Sequence, residues 1–163
     1  MLIALLHSVS HLSLSQCLTK AAGMSGEEKE DVVKTALRHL RSYDSVLREF
    51  ENVDLHFELL VSATCFAQLK RHRMATITCQ DYNPSLGATA PPAVCDTGME
   101  TEFRAIIART EEAYDSIKKT APAAAAYILT NAHRRRVSLK VNARELYHIA
   151  RLRGDQYAQW DIR

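Results

Sequence analysis

The chain has 163 residues, 47% of them hydrophobic and 25% charged, a balance that supports one packed domain and excludes disorder and collagen-like repeats. Twenty-one basic against nineteen acidic residues leave a net charge of +2, too even for a dedicated nucleic-acid binder. Apolar runs such as Leu2 to Leu6 are far shorter than the roughly 20 residues of a bilayer span, so no membrane role is expected. Gly23, Gly26, Gly87, Gly98 and Gly154 form neither a G-x-G-x-x-G nor a G-x-x-x-x-G-K-[ST] turn, so any nucleotide cofactor must be held by side chains. The apolar start lacks a charged n-region and is interrupted by His7 and His11, and no signal peptide is expected. Cys17, Cys65, Cys79 and Cys95 show no C-x-x-C spacing and read as free thiols in a reducing, cytoplasmic setting.

In chain order, Leu2, Leu5, Leu6, Val9, Leu12 and Leu18 recur at helical spacing and predict one amphipathic helix. Ser25 with Glu28 is a capping box opening a second helix through Val32, Val33, Ala36, Leu37 and Leu40. Val53 to Val61 alternates apolar and polar residues, the clearest strand signal in the chain. A short helix over 63–72 and a short strand over 74–79 follow. Asn83 to Gly98, rich in proline, predicts a long loop of the kind that is functional or mobile. Helical period returns over Glu100 to Lys119 and is stopped by Pro122. Val137, Leu139 and Val141 predict a strand after the basic run, Leu146, Ile149 and Leu152 a helix closed by Gly154, and 155–163 the start of another helix. No repeat or linker interrupts this pattern, which gives one α+β domain over residues 1–163.

Generic chemistry is sparse. His7 and His11 stand at i, i+4 but lack the H-E-x-x-H glutamate and a third ligand, so no metal is expected. There is no G-x-S-x-G elbow and no cysteine with a nucleophile signature. Three basic clusters remain: Lys70 to Arg73, His133 to Arg136, and Arg144 with Arg151 and Arg153. Each is either a solvated face or a phosphate contact.

Gln68-Leu-Lys-Arg71-His72-Arg73 resembles the start of the Q-x-x-R-H-R-x-x-S-x-x-x-x-S-x-R-Y signature of flavin-dependent thymidylate synthases. Val141-Asn142-Ala-Arg144-Glu-Leu-Tyr-His148-Ile-Ala-Arg-Leu-Arg153, followed by Ala158-Gln-Trp-Asp-Ile-Arg163, is similar to that family's V-N-A-R-x-L-x-H-F-L-x-L-R and A-Q-W-E-I-R segments. The resemblance implies a small antiparallel sheet packed by helices, a homo-oligomer, expected as a tetramer, and FAD bound between subunits. It carries flavin contacts onto Arg71, His72, Arg73, Asn142, Arg144 and His148. Tyr43-Asp-Ser45 takes the place of a G-H-E-[ST] segment and keeps the hydroxyl at Ser45, and Thr76 keeps that of the motif's first serine. Arg153 matches the arginine that approaches the uracil ring, and Gln68 also falls on the substrate side. The helical pattern ending at Arg163 is expected to continue in relatives, as if the domain were truncated there.

The implied activity is C5-methylation of a uridine nucleotide, dUMP or UMP, with methylenetetrahydrofolate as carbon donor and NADPH as reductant of the flavin. Charge developing on the pyrimidine would be met by guanidinium groups, Arg153 first. The departures fall on the nucleotide phosphate: the second motif serine is Asp81, the motif arginine is Asn83, and the arginine of an A-R-x-x-L-P segment is Ala126. Two missing charge-assisted bonds correspond to about 3 to 6 kcal/mol, roughly a hundredfold to ten-thousandfold in affinity. Arg134, Arg135 and Arg136 are the nearest replacement. The rival reading is a non-catalytic flavin-binding paralogue that has lost the phosphate site. Asp81, Asn83 and Ala126 favour the paralogue, Arg153 the enzyme.

Overall fold

A computed structural model describes residues 1–163. The helices and strands are α1 (Leu2–Ser8), α2 (Leu14–Gly23), α3 (Gly26–Leu37), β1 (Asp54–Ser62), α4 (Ala63–Leu69), β2 (Thr76–Cys79), α5 (Pro92–Asp96), α6 (Glu100–Thr120), α7 (Pro122–Ala125), β3 (Arg134–Asn142) and α8 (Ala143–Arg153). Tighter turns cover Arg48–Asn52, Pro84–Leu86 and Ala126–Ile128. The class is α+β, with one three-stranded antiparallel sheet in the order β1-β3-β2. The chain divides into two compact units, Met1–Leu55 with Lys140–Leu152, and His56–Leu139 with Arg153–Arg163.

In the first unit α1 packs against α2, α3 and the Arg48–Asn52 turn. Leu5, Cys17, Ala21, Val46, Val141 and Ile149 are buried. The single helix expected over the first eighteen residues is two helices, because serines offer the backbone competing partners between them. Ser10 Oγ donates to the Leu6 carbonyl and accepts from the Leu12 N–H. Ser13 then opens α2 in a reciprocal box with Gln16, accepting its N–H at 3.3 Å while the Gln16 amide oxygen accepts the Ser13 N–H at 2.8 Å. The expected Ser25 and Glu28 box opens α3 in the same way. Asp54 of β1 pairs with Lys140 of β3 at 3.0 Å. At the end of β3 the Asn142 side chain accepts the Glu145 N–H at 2.9 Å and so caps α8. That helix stops immediately before Gly154, as its pattern predicts.

In the second unit His56 faces Ser138 at 2.7 Å and Glu58 faces Arg136 at 2.5 Å, which fixes an antiparallel register for β1 and β3. Val137 and Leu139 are buried on one face of β3, with Arg136 and Ser138 on the other. The strand begins at Arg134, so the basic run lies inside it and does not precede it. Alternation explains the difference, since three consecutive arginines in a strand are divided between two faces. On β1 the expected apolar face is only partly dry, since Phe57 stays exposed, and Leu60 is exposed on the opposite face.

α6 follows its predicted span, and Pro122 is the first residue of α7, where its missing N–H costs no hydrogen bond. The segment 83–98 is more ordered than a proline-rich loop predicts. Asn83 caps the Pro84–Leu86 turn, Gly87 takes the left-handed φ of +74°, and Ala88 then bridges His133 in antiparallel fashion. The tail departs in the other direction: residues 155–163 form turns where a helix is expected. The Asp155 carboxylate accepts the Tyr157 N–H at 2.8 Å and the Gln159 amide oxygen accepts the Asp161 N–H at 3.2 Å, local bonds that compete with a helical ladder.

Leu139→Ala should cost about 2–5 kcal/mol in a urea melt, because the vacated volume lies in a buried strand face. Lys140→Ala, which breaks only the exposed pair with Asp54, should cost less than about 1 kcal/mol in the same assay.

Candidate functional site

The sequence-predicted residues gather into two clusters, one in each unit. In the first unit Arg144, Tyr147, His148 and Arg151 recur at i, i+3, i+4 and i+7 on α8 and so share a face. With Glu145, Ser45 and Val46 they line a cavity of about 210 Å3. Arg144 donates through Nε to the Val46 carbonyl at 3.0 Å and through Nη1 to Glu51 at 2.8 Å. Arg151 donates to the Asp44 carbonyl at 3.0 Å. Glu51 also meets Arg48 at 3.3 Å, and its carboxyl is held below the usual glutamate range, first by Arg48 and then by Arg144. Ser45, Arg144 and His148 thus come together around one cavity. Asn142 instead caps the helix that carries two of them.

Whether this cavity suits a flavin dinucleotide follows from its size and lining. Two guanidiniums, an imidazole and an exposed hydroxyl, against the one carboxylate of Glu145, leave the lining able to take an anionic portion such as a pyrophosphate. About 210 Å3 is below the ~300–1,000 Å3 typical of sites that enclose a drug-sized ligand, so these residues fit part of the group and leave the rest to other contacts.

In the second unit Arg153 donates from Nε to the His72 ring at 3.0 Å, from Nη1 to the Gln68 amide oxygen at 3.3 Å and from Nη2 to the Gln68 carbonyl at 3.1 Å. His72 is buried, while Arg71 and Arg73 on either side are exposed in the turn that follows α4. Thr76 opens β2 on an exposed position, and Asp81 is exposed just beyond that strand. Asn83, in the place of a motif arginine, accepts the Ser85 N–H at 3.1 Å and serves the turn. Ala126 begins the turn Ala126–Ile128.

Arg134, Arg135 and Arg136 do not form one patch. Arg134 donates to the Thr89 hydroxyl at 3.0 Å and Arg136 pairs with Glu58. Arg135 lies between two rings, 5.1 Å from Phe66 and 4.2 Å from Tyr82, with Nη2 on the Gln80 carbonyl at 2.8 Å. His7 and His11 do not share a helix face either, because α1 ends at Ser8, and no group of three metal-ligating side chains exists.

Sequence reading missed Glu51, whose role depends on Arg144 arriving from far along the chain, and Asp161, which accepts a hydrogen bond from Ser62. Tyr147, and the place of Arg151 beside Arg144 and His148, were also missed, although the helical repeat that puts all four on one face was the signal that could have found them. Burial, then the nearby Asp161 charge, push the Cys65 thiol up to about 11, leaving about one part in ten thousand as thiolate at pH 7. A thiol-reactive probe should therefore label exposed Cys95 first and reach Cys65 and Cys17 only in denaturant. Glu51→Gln should lower the urea midpoint at pH 7. Because the Glu51 pKa is depressed on folding, its contribution is present above the ordinary value of 4.5 and is lost as pH falls through its lower folded value, so the two proteins should converge there.

No helix is long and apolar enough to cross a membrane. A family model described as thymidylate synthase complementing protein matches residues 2–163. The chain is 28% identical to a UPF0159 protein of Chlamydia pneumoniae over 94% of this chain and 29% of the relative. It is 27% identical to a flavin-dependent thymidylate synthase of Haloarcula marismortui, over 96% of this chain and 75% of that protein. A flavin-dependent thymidylate synthase of Sulfolobus acidocaldarius is 29% identical over 86% of this chain and 55% of its own length. The chain spans less than a third of the length of the chlamydial relatives it matches. Because the family match takes in residues 2–163, the chain belongs to the family of thymidylate synthase complementing proteins.

Proposed function

We propose that the protein is an FAD-dependent methylase that acts in the cytoplasm on C5 of a uridine nucleotide, dUMP or UMP, and that its 163 residues represent a flavin-dependent thymidylate synthase-like domain. The observation that carries this reading is the junction of the two motif blocks: Arg153 from the second donates to Gln68 and His72 from the first, across more than eighty residues of chain. A flavin would supply hydride transfer, with methylenetetrahydrofolate as carbon donor and NADPH as reductant. The protein's part is orientation and electrostatics. Arg144, His148 and Ser45 are read as holding part of the flavin, together with Asn142 and the exposed Arg71 and Arg73. Arg153 is read as meeting charge that develops on the pyrimidine carbonyls. The small cavity on α8 supports a homo-oligomer, read as a tetramer, in which a second copy completes the cofactor site.

The second reading, a flavin-binding paralogue without nucleotide turnover, is favoured by one specific observation. Each arginine nearest the altered phosphate positions already has a partner: Thr89 for Arg134, the Phe66 and Tyr82 rings for Arg135, and Glu58 for Arg136. A phosphate would have to compete with them.

Purified protein supplied with FAD should show a bound flavin spectrum and scatter light as an oligomer, and Arg144→Ala should weaken flavin affinity about tenfold or more while the fold persists by circular dichroism. Folded protein that takes up no FAD would overturn the cofactor reading. Substitution of Arg134 or Arg136 by alanine should weaken nucleotide binding, more so at low salt, whereas Arg135→Ala should chiefly lower stability, by about 1 kcal/mol. Flavin-loaded wild-type protein that binds neither dUMP nor UMP at millimolar concentration would favour the paralogue.

A further inference from the structure

A guanidinium carries five N–H donors and no acceptor. Three of those on Arg153 go to protein atoms: Nε to the His72 Nε2, Nη1 to the Gln68 amide oxygen, and Nη2 to the Gln68 main-chain carbonyl. The Gln68 carbonyl belongs to the last turn of α4, an end of the helix that carries partial negative charge and suits a cation. The His72 bond is the informative one. Arg153 can only donate, so the His72 Nε2 must be an unprotonated acceptor, and the ring is neutral with its proton on Nδ1. The ring itself is 6% exposed, so burial limits its rotation, and it presents a lone pair in a fixed direction.

We infer that His72 is a positioning residue for substrate recognition: its neutral ring selects one orientation of the Arg153 guanidinium and leaves one N–H on each terminal nitrogen for the ligand. Two N–H groups on one planar fork match a ligand edge with a carbonyl oxygen, or two neighbouring acceptors, as a uracil ring presents. Sequence similarity alone places His72 among flavin contacts. In this chain its Nε2 is committed to Arg153, and the motif histidine acts on the pyrimidine side through the arginine. The inference rests on the reading of Arg153 as the pyrimidine contact, and the experiment separates the two.

Three substitutions test the geometry. His72→Gln places an amide oxygen near the position of the ring Nε2 and should keep the bond. His72→Asn is also an amide but is one methylene too short to reach. Arg153→Ala removes the donor. In FAD-loaded protein, calorimetric titration with dUMP and UMP should show binding weakened about tenfold or more by His72→Asn and by Arg153→Ala, and by less than about threefold for His72→Gln. The double variant His72→Asn, Arg153→Ala should bind no more weakly than Arg153→Ala alone, because the two side chains act as one unit. Flavin content should be equal in all of them. Independently of any nucleotide, the Arg153 Nε–H proton should exchange slowly by nitrogen-15 NMR in wild type and His72→Gln and rapidly in His72→Asn. If Arg153→Ala weakens binding while His72→Asn binds like wild type, or the two losses add, or His72→Gln is as weak as His72→Asn, the positioning role is overturned and the pyrimidine reading stands. If Arg153→Ala binds both nucleotides like wild type, the pyrimidine reading itself is overturned.

Discussion

A guanidinium group gives hydrogen bonds and accepts none, and a half-buried one must be surrounded by acceptors or lose several kcal/mol of hydration without replacement. That requirement organises both units. Arg144 takes the Val46 carbonyl and Glu51, Arg151 takes the Asp44 carbonyl, and Arg153 takes both oxygens of Gln68 and the ring of His72. Most of these acceptors are main-chain carbonyls or neutral side chains, which leave the positive charge available to an anionic or polarisable ligand. Glu51 is the exception, and it is shared with Arg48. The arginines are therefore held in place without being neutralised, the condition under which a preorganised cation can stabilise charge that forms in a reaction.

The same rule explains why the basic run on β3 does not act as one surface. A strand sends successive side chains to opposite faces, so Arg134 and Arg136 lie on one side and Arg135 on the other with Val137 and Leu139. Placed toward the buried face, Arg135 finds π faces in Phe66 and Tyr82 where few oxygens are available, and its Nη2 reaches the Gln80 carbonyl. Its Nε is buried without a partner, which marks the cost of putting a cation there. Arg135 is consequently part of the packing, while Arg134 and Arg136 keep exchangeable partners.

Membership of the thymidylate synthase complementing protein family and the junction of Arg153 with Gln68 and His72 are the two observations that favour the proposed reading of the second unit's cluster as the pyrimidine side. The altered positions pull in the other direction. Asn83 caps a turn through its bond to Ser85, and Ala126 offers no polar side chain, so neither supplies the positive charge that the family motif has at its position.

Much of this was legible in the residues themselves. Period-two alternation gave β1, helical period gave α3, α6 and α8, and Ser25 with Glu28 gave a helix start, because each is a local rule about which side of an element is apolar or which backbone N–H lacks a partner. The shared face of Arg144, His148 and Arg151 follows from the helical repeat alone. Local rules failed where two local preferences competed: Ser10 and Ser13 divided the first helix, and Asp155 and Gln159 turned the tail away from helix by capturing N–H groups of their own neighbours. What only the tertiary structure decided is which acceptor each arginine meets. Val46 and Glu51 reach Arg144, and Gln68 and His72 reach Arg153, from more than eighty residues away, and no pattern in a single sequence encodes a pairing at that separation. Sequence thus determined where the donors stand, and folding determined which of their N–H groups remain for a ligand.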